Sequence, residues 1–119
     1  MARILIVEDD ESLIMMLEIA LRPLRHEIVR CLNGADAVPM MRTHQPDLVI
    51  LDLMMPSAAG DTVLGTIRDD NALCRTPVMV LSAHPKGESI AHAAGADIFL
   101  AKPVNIRNLR ETVTALLEN

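Results

Sequence analysis

The chain has no tryptophan, no tyrosine and a single phenylalanine among its 119 residues. Its core must therefore be built from aliphatic side chains and methionine, of which there are eight. Methionine fills irregular gaps in a core, so the pairs Met15-Met16, Met40-Met41 and Met54-Met55 read as packing rather than as metal ligands. Positive charge is also scarce: 11 Lys and Arg stand against 16 Asp and Glu, a net charge of −5. A domain that binds phosphate backbones needs a basic face, which excludes nucleic acid as a direct partner. No apolar run approaches the ~18 residues of a membrane span, and no basic leader followed by a long apolar stretch opens the chain. A soluble, cytoplasmic protein with no membrane partner is the expectation. Only two cysteines are present. Cys31 and Cys74 fall on separate segments in apolar surroundings, which suits two buried, reduced thiols better than a disulfide. Repeats and low-complexity segments are missing as well. No glycine-rich loop follows Val7, where the chain turns acidic and would repel a phosphate.

What is there begins with periodic apolar runs. They recur at Ile4 to Val7, Ile28 to Val29, Leu48 to Leu51, Val78 to Leu81 and Ile98 to Leu100, with helical patterns between them. Leu13, Met16, Leu17, Ala20, Leu21 and Leu24 follow helical spacing in the first connection, as do Leu109, Val113, Leu116 and Leu117 in the last. Asp10 or Ser12 is placed to cap the first helix and Asn105 the last, Pro77 suits the start of the fourth strand, and Pro39 is expected to kink or shorten the second helix. Strands alternating with helices predict an α/β fold: a five-stranded parallel sheet with right-handed crossovers and helices on both faces. The length suits one domain over 1–119, burying roughly two thirds of its unfolded surface.

The charged ends of these runs carry the functional signal. Asp47-Leu48-Val49-Ile50-Leu51-Asp52 brings a carboxylate to the rim of a buried strand, and Ile4-Leu5-Ile6-Val7 runs into Glu8-Asp9-Asp10. Ligands of open α/β sheets bind beyond the carboxyl ends of the strands. A strand order of 2-1-3-4-5 brings the ends of the first and third strands together, crowding at least three carboxylates into one crevice. Their repulsion raises their pKa values unless a cation neutralises them, and a divalent metal is the simplest solution. Asp10 reads as a helix cap instead. His26, His44 and His92 share no metal-ligand spacing and read as solvated or core histidines.

These residues resemble the receiver domain of two-component response regulators. The likeness spans nearly the whole chain and rests on Glu8-Asp9 after the first strand, Asp52 with Met55-Pro56 and Gly60 after the third, Ser82-Ala83 after the fourth and Lys102-Pro103 after the fifth. Each motif is short, but all of them occur in order, each at a strand end. The resemblance implies a flavodoxin-like fold of five β/α units. It implies Asp52 as the phospho-acceptor and Glu8, Asp9, Asp52 and the Met54 carbonyl as the site of Mg²⁺, with Mn²⁺ as a substitute and Asp9 the more direct ligand of the acidic pair. Lys102 would pair with the phosphoryl group, Ser82 and Ala83 would close on it, and Phe99 takes the switch-aromatic position without the hydroxyl of a tyrosine. Pro56 and Gly60 shape the loop after Asp52, and Pro103 is expected to carry a cis peptide bond after Lys102. Met54 and His84 flank the expected path of an attacking water, an apolar side chain against one able to orient it.

The same resemblance implies a signalling switch rather than an enzyme. It would take its phosphoryl group from a sensor histidine kinase or a histidine phosphotransfer protein and act on a downstream protein or a fused output domain. Its readout would be the face carrying His84 to Ala94, Ile98 to Lys102 and Val104 to Leu117. Stand-alone and excised receivers both fit, as do a monomer and a weak homodimer. The alternative is a receiver fold serving as a phosphorylation-independent interaction module, against which the intact set Glu8, Asp9, Asp52, Ser82 and Lys102 argues. A haloacid-dehalogenase-type phosphatase needs an Asp where Met54 stands, and a serine hydrolase on Ser82 and His84 lacks the Gly-x-Ser-x-Gly elbow.

Overall fold

The computed structural model describes residues 1–55 and 58–118. Five strands and five helices alternate: β1 (Arg3–Val7), α1 (Glu11–Leu21), β2 (Glu27–Cys31), α2 (Ala37–His44), β3 (Leu48–Asp52), α3 (Gly60–Asp69), β4 (Val78–Ser82), α4 (Gly87–Ala94), β5 (Ile98–Ala101) and α5 (Ile106–Glu118). Single 3₁₀ turns at Arg22–Leu24 and Gly34–Asp36 follow α1 and precede α2. All strand pairs are parallel, as the alternation of runs predicts, and the sheet order is the expected β2-β1-β3-β4-β5.

The period of two along each strand divides the core between the two faces of the sheet. Leu5, Val7, Val49, Leu51, Val78 and Val80 pack with Met41, Leu64, Ile67 and Ala91, so α2, α3 and α4 cover one face. Ile4, Ile6, Leu48, Ile50, Met79 and Leu81 pack with Ile14, Leu17, Leu21, Leu109 and Val113, so α1 and α5 cover the other. Burial on both faces is why β1, β3 and β4 read as unbroken apolar runs. Each such side chain contributes about 1.5–3 kcal/mol on leaving water. The edge strands differ: Glu27 and Arg30 of β2 are exposed, and β5 is only half-buried along Ile98, Phe99 and Leu100.

Asp10, not Ser12, caps α1, its Oδ1 accepting from the amides of Ser12 at 2.9 Å and Leu13 at 3.4 Å. Asn105 caps α5 through Asn108 N–H at 2.9 Å. Pro77 directly precedes β4, and its carbonyl accepts from Val49 N–H at 3.0 Å. Pro39 lies in the first turn of the eight-residue α2, where an N–H has no intrahelical acceptor, so it marks a helix start rather than a kink. The methionine pairs divide: Met41 and Met55 are buried, whereas Met15 and Met54 are exposed. Cys31 is buried and donates to the Asn33 carbonyl, but Cys74 is only partly buried, and both thiols are free. Among the described residues no helix is long and apolar enough to cross a membrane.

Candidate functional site

The register sets the site. Val7 of β1 pairs with Leu51 of β3, so the next residues along, Glu8 and Asp52, emerge side by side at the carboxyl ends of the two strands. Glu8 and Asp52 are each 3% exposed, while Asp9 lies open at the rim. One carboxylate oxygen from each of Glu8, Asp9 and Asp52 falls within 4.8 Å of the others. Asp10, committed to capping α1, stays outside this cluster.

Lys102, carried beyond β5, reaches back into the crevice. Its Nζ lies 3.1 Å from Asp52 Oδ1 and 3.7 Å from Glu8 Oε1. The Lys102-Pro103 peptide bond is cis, as the motif predicts. The Met54 amide also donates to Asp52 Oδ1, at 3.3 Å, while the Met54 side chain points to solvent. Pro56 lies outside the described residues. Gly60 closes the loop behind Asp52: its amide donates to Leu53 O at 2.9 Å, and a Cβ there would stand 2.5 Å from Asp52 O and 2.6 Å from Leu53 Cα. Only glycine lets α3 start this close to the backbone of the acidic strand end.

Ser82 ends β4 with 1% exposure, and its Oγ accepts the His84 amide at 2.9 Å. The backbone of His84 thus matters at the site, which its side-chain chemistry does not signal. Its ring turns to the loop, Nδ1 accepting from Lys86 N–H at 2.9 Å. Ala83 is exposed at the start of that loop. Phe99 is half-buried, and its ring edge and the Ser82 Cβ both border the position a Cβ of Gly87 would take at the start of α4. The sequence reading missed Gly87, which lies between them; a glycine in a first helical turn is its only trace.

Electrostatics mark Glu8 as the strained member. Burial chiefly, then the hydrogen bond that its protonated form makes to Asp52 and the charge of that neighbour, push its pKa from 4.5 to about 8, against the lowering effect of Lys102. Glu8 Oε2 is buried and no donor among the described residues reaches it. An orphaned carboxylate oxygen among three acidic groups, with one ammonium as local cation, suits a hard divalent ion that takes oxygen ligands. The donor set fits Mg²⁺.

A doubly wound parallel sheet with an acidic, lysine-bearing crevice where the strand order reverses defines an α/β module that acts at its strand ends. The chain belongs to the response regulator receiver domain family, whose model matches residues 4–114. It is 29% identical over 116 residues to the polar-differentiation response regulator DivK of Brucella anthropi, covering 96% of this chain and 94% of the relative. The chemotaxis protein CheY4 of Vibrio cholerae superposes with a TM-score of 0.88 at 27% identity, covering 98% of this chain and 99% of the other. The signal receiver domain of a signal transduction histidine kinase from Syntrophus aciditrophicus gives 0.91 at 29%, covering 99% and 91%. The chain is accordingly a signalling switch of two-component systems. Domains of this family bind Mg²⁺ in an acidic pocket and interact with histidine kinases and downstream targets.

Proposed function

We propose that residues 1–119 form one cytoplasmic receiver domain that takes a phosphoryl group from a phosphohistidine onto Asp52. The donor is a sensor histidine kinase or a histidine phosphotransfer protein. In the transfer, an Asp52 carboxylate oxygen forms the new bond to phosphorus as the phosphorus–nitrogen bond of the donor breaks, and the imidazole leaves and takes up a proton. Glu8, Asp9, Asp52 and the Met54 carbonyl would hold Mg²⁺, with Asp9 the more direct ligand of the acidic pair. When bound, the metal neutralises charge on the phosphoryl oxygens.

The protein's own groups complete the switch. Lys102 exchanges its contact with Asp52 for the incoming phosphoryl group as a point charge. Ser82 turns its hydroxyl to the same group, drawing the loop from Ala83 with it, and Phe99 follows the space that changes beside Ser82. Reversing a population from about 1:99 to about 99:1 takes about 5.5 kcal/mol of differential stabilisation. Hydrogen bonds to a charged group contribute about 1.5–3 kcal/mol each, but Lys102 and Ser82 give up existing bonds to Asp52 and His84 N–H, so only the difference counts toward that requirement. The readout is repacking of α4, β5 and α5 toward a downstream protein or output domain.

The observation that carries this reading is the Lys102 ammonium at 3.1 Å from Asp52 beside an orphaned Glu8 oxygen. Intact mass after incubation with acetyl phosphate and Mg²⁺ tests it, with Asp52→Asn and an EDTA control. A gain of about 80 Da that needs both Asp52 and metal is expected. A folded, Mg²⁺-binding protein that neither gains mass nor responds to beryllofluoride would instead be a phosphorylation-independent interaction module.

A further inference from the structure

Gly87 opens α4, and nothing in its backbone calls for glycine. Among the described glycines only Gly95 has a positive φ, and alanine is the better helix former. What Gly87 provides is space. A Cβ built there would lie 3.0 Å from Phe99 Cε1, 3.1 Å from Phe99 Cζ and 3.1 Å from Ser82 Cβ. Carbon atoms in good contact sit about 3.5–4.0 Å apart. Gly65, in the middle of α3, has no such neighbours: among the described residues nothing lies within 4 Å of its hypothetical Cβ.

We propose that Gly87 is a positioning residue for the switch: its missing side chain is what lets the Phe99 ring lie against the start of α4 while Ser82 Oγ is engaged by the His84 amide. The proposal rests on the phospho-acceptor reading of Asp52 and adds a residue outside the motifs that support it. Two of the three crowded elements are held. Ser82 is fixed in β4, its carbonyl accepting from Lys102 N–H at 2.9 Å. The start of α4 is tied by Gly87 N–H to His84 O at 2.9 Å, and its far end by Arg68, whose Nε donates to Gly95 O at 2.8 Å. The half-buried Phe99 ring is the part that yields, by rotation about its side-chain torsions. A methyl group at position 87 therefore moves the ring and raises the free energy of the arrangement in which Ser82 faces His84. The competing arrangement, with Ser82 turned to the crevice, gains population in proportion.

Phe99 is the only phenylalanine of the chain, so selective phenylalanine labelling lets NMR read its ring apart from the four histidine rings. Wild type, Gly87→Ala, Phe99→Leu, the double variant and Gly65→Ala would be compared, with beryllofluoride binding in Mg²⁺ followed on methionine methyl signals. Gly87→Ala is expected to displace the Phe99 ring resonances before beryllofluoride is added and to lower the half-saturating beryllofluoride concentration about threefold. In the Phe99→Leu background that gain should vanish, because the crowded ring is gone, and Gly65→Ala should change neither reading. Unmoved ring resonances overturn the proposal. So does unchanged or weaker beryllofluoride binding, or an equal effect in both backgrounds. A wild type indifferent to beryllofluoride would sink the phospho-acceptor reading instead, while the ring resonances of Gly87→Ala would still decide the positioning claim.

Discussion

Lys102 Nζ lies 3.1 Å from Asp52 Oδ1 and 3.7 Å from Glu8 Oε1, so one ammonium faces two buried carboxyl groups. Lys102→Gln removes the local cation and leaves the buried Asp52 charge without it. The lysine side chain is 24% exposed, so solvent screens part of the interaction, and a loss of about 1–2 kcal/mol without metal is expected. Mg²⁺ should restore most of that stability and bind about tenfold more tightly than to wild type, since a like charge has left the crevice. Phosphorylation from acetyl phosphate should slow in the same variant. Thermal melts with and without Mg²⁺ check the first two points. Equal Mg²⁺ affinity in both proteins would show that Lys102 does not face the metal's place.

Glu8 sets a pH dependence whose sign follows from its direction of shift. Its pKa rises from 4.5 to about 8 on folding, mainly through burial. Between those values the native state holds a proton that the unfolded state has released, so metal-free stability falls as pH rises and levels off above about pH 8. Metal binding needs the deprotonated carboxylate, so apparent Mg²⁺ affinity should climb with pH over the same window, by up to about tenfold per pH unit. Glu8→Gln should flatten the stability profile and weaken Mg²⁺ binding. Calorimetry in two buffers of different ionisation enthalpy counts the released proton. Proton-independent binding near neutral pH would contradict the assignment.

Gly60 and Gly65 sit five residues apart in one helix and should respond oppositely to alanine. At Gly60 the new Cβ would meet the backbone of Asp52 and Leu53, which no side-chain rotation can relieve. A loss of about 1–3 kcal/mol is expected, with slower phosphorylation because Asp52 is displaced. Gly65→Ala should instead raise stability by about 0.5–1 kcal/mol, since it fills open space and restricts the unfolded chain. Urea unfolding of both variants separates the two effects.

The parts of this fold legible in the sequence are those whose physics is local and periodic. β1, β3 and β4 are buried on both faces and stand out as apolar runs, and Asp10 and Asn105 cap through their own side chains. β2 showed only as Ile28-Val29, because an edge strand carries Glu27 and Arg30 into solvent. The acidic cluster followed from strand order, since Glu8 and Asp52 become neighbours only once β1 and β3 pair. Exposure of Met15 and Met54 was hidden, because residue type does not reveal which side of a helix or loop faces out. Gly87 was hidden for a related reason: its role lies in the space between Ser82 and Phe99, which no spacing within the sequence encodes.

Arg68 is the other long-range feature that periodicity could not supply. Its guanidinium donates to Gly95 O at 2.8 Å, Cys74 O at 3.0 Å, Thr76 O at 2.7 Å and Asp97 Oδ2 at 2.7 Å. One side chain of α3 thereby joins the loop before β4 to the end of α4, and Asp97 Oδ2 also accepts from Val78 N–H at the start of β4. Arg68→Met keeps the stem and removes the fork, leaving three carbonyls to water and Asp97 without its cation. A loss of about 2–3 kcal/mol is expected, against less than about 0.5 kcal/mol for Arg107→Ala, whose partner Glu111 lies on the open face of α5. The signature should also be local: amide exchange ought to speed up at Gly95 and Ala96 more than in β1. Uniform acceleration across the sheet would mean that Arg68 stabilises the whole fold rather than anchoring α4.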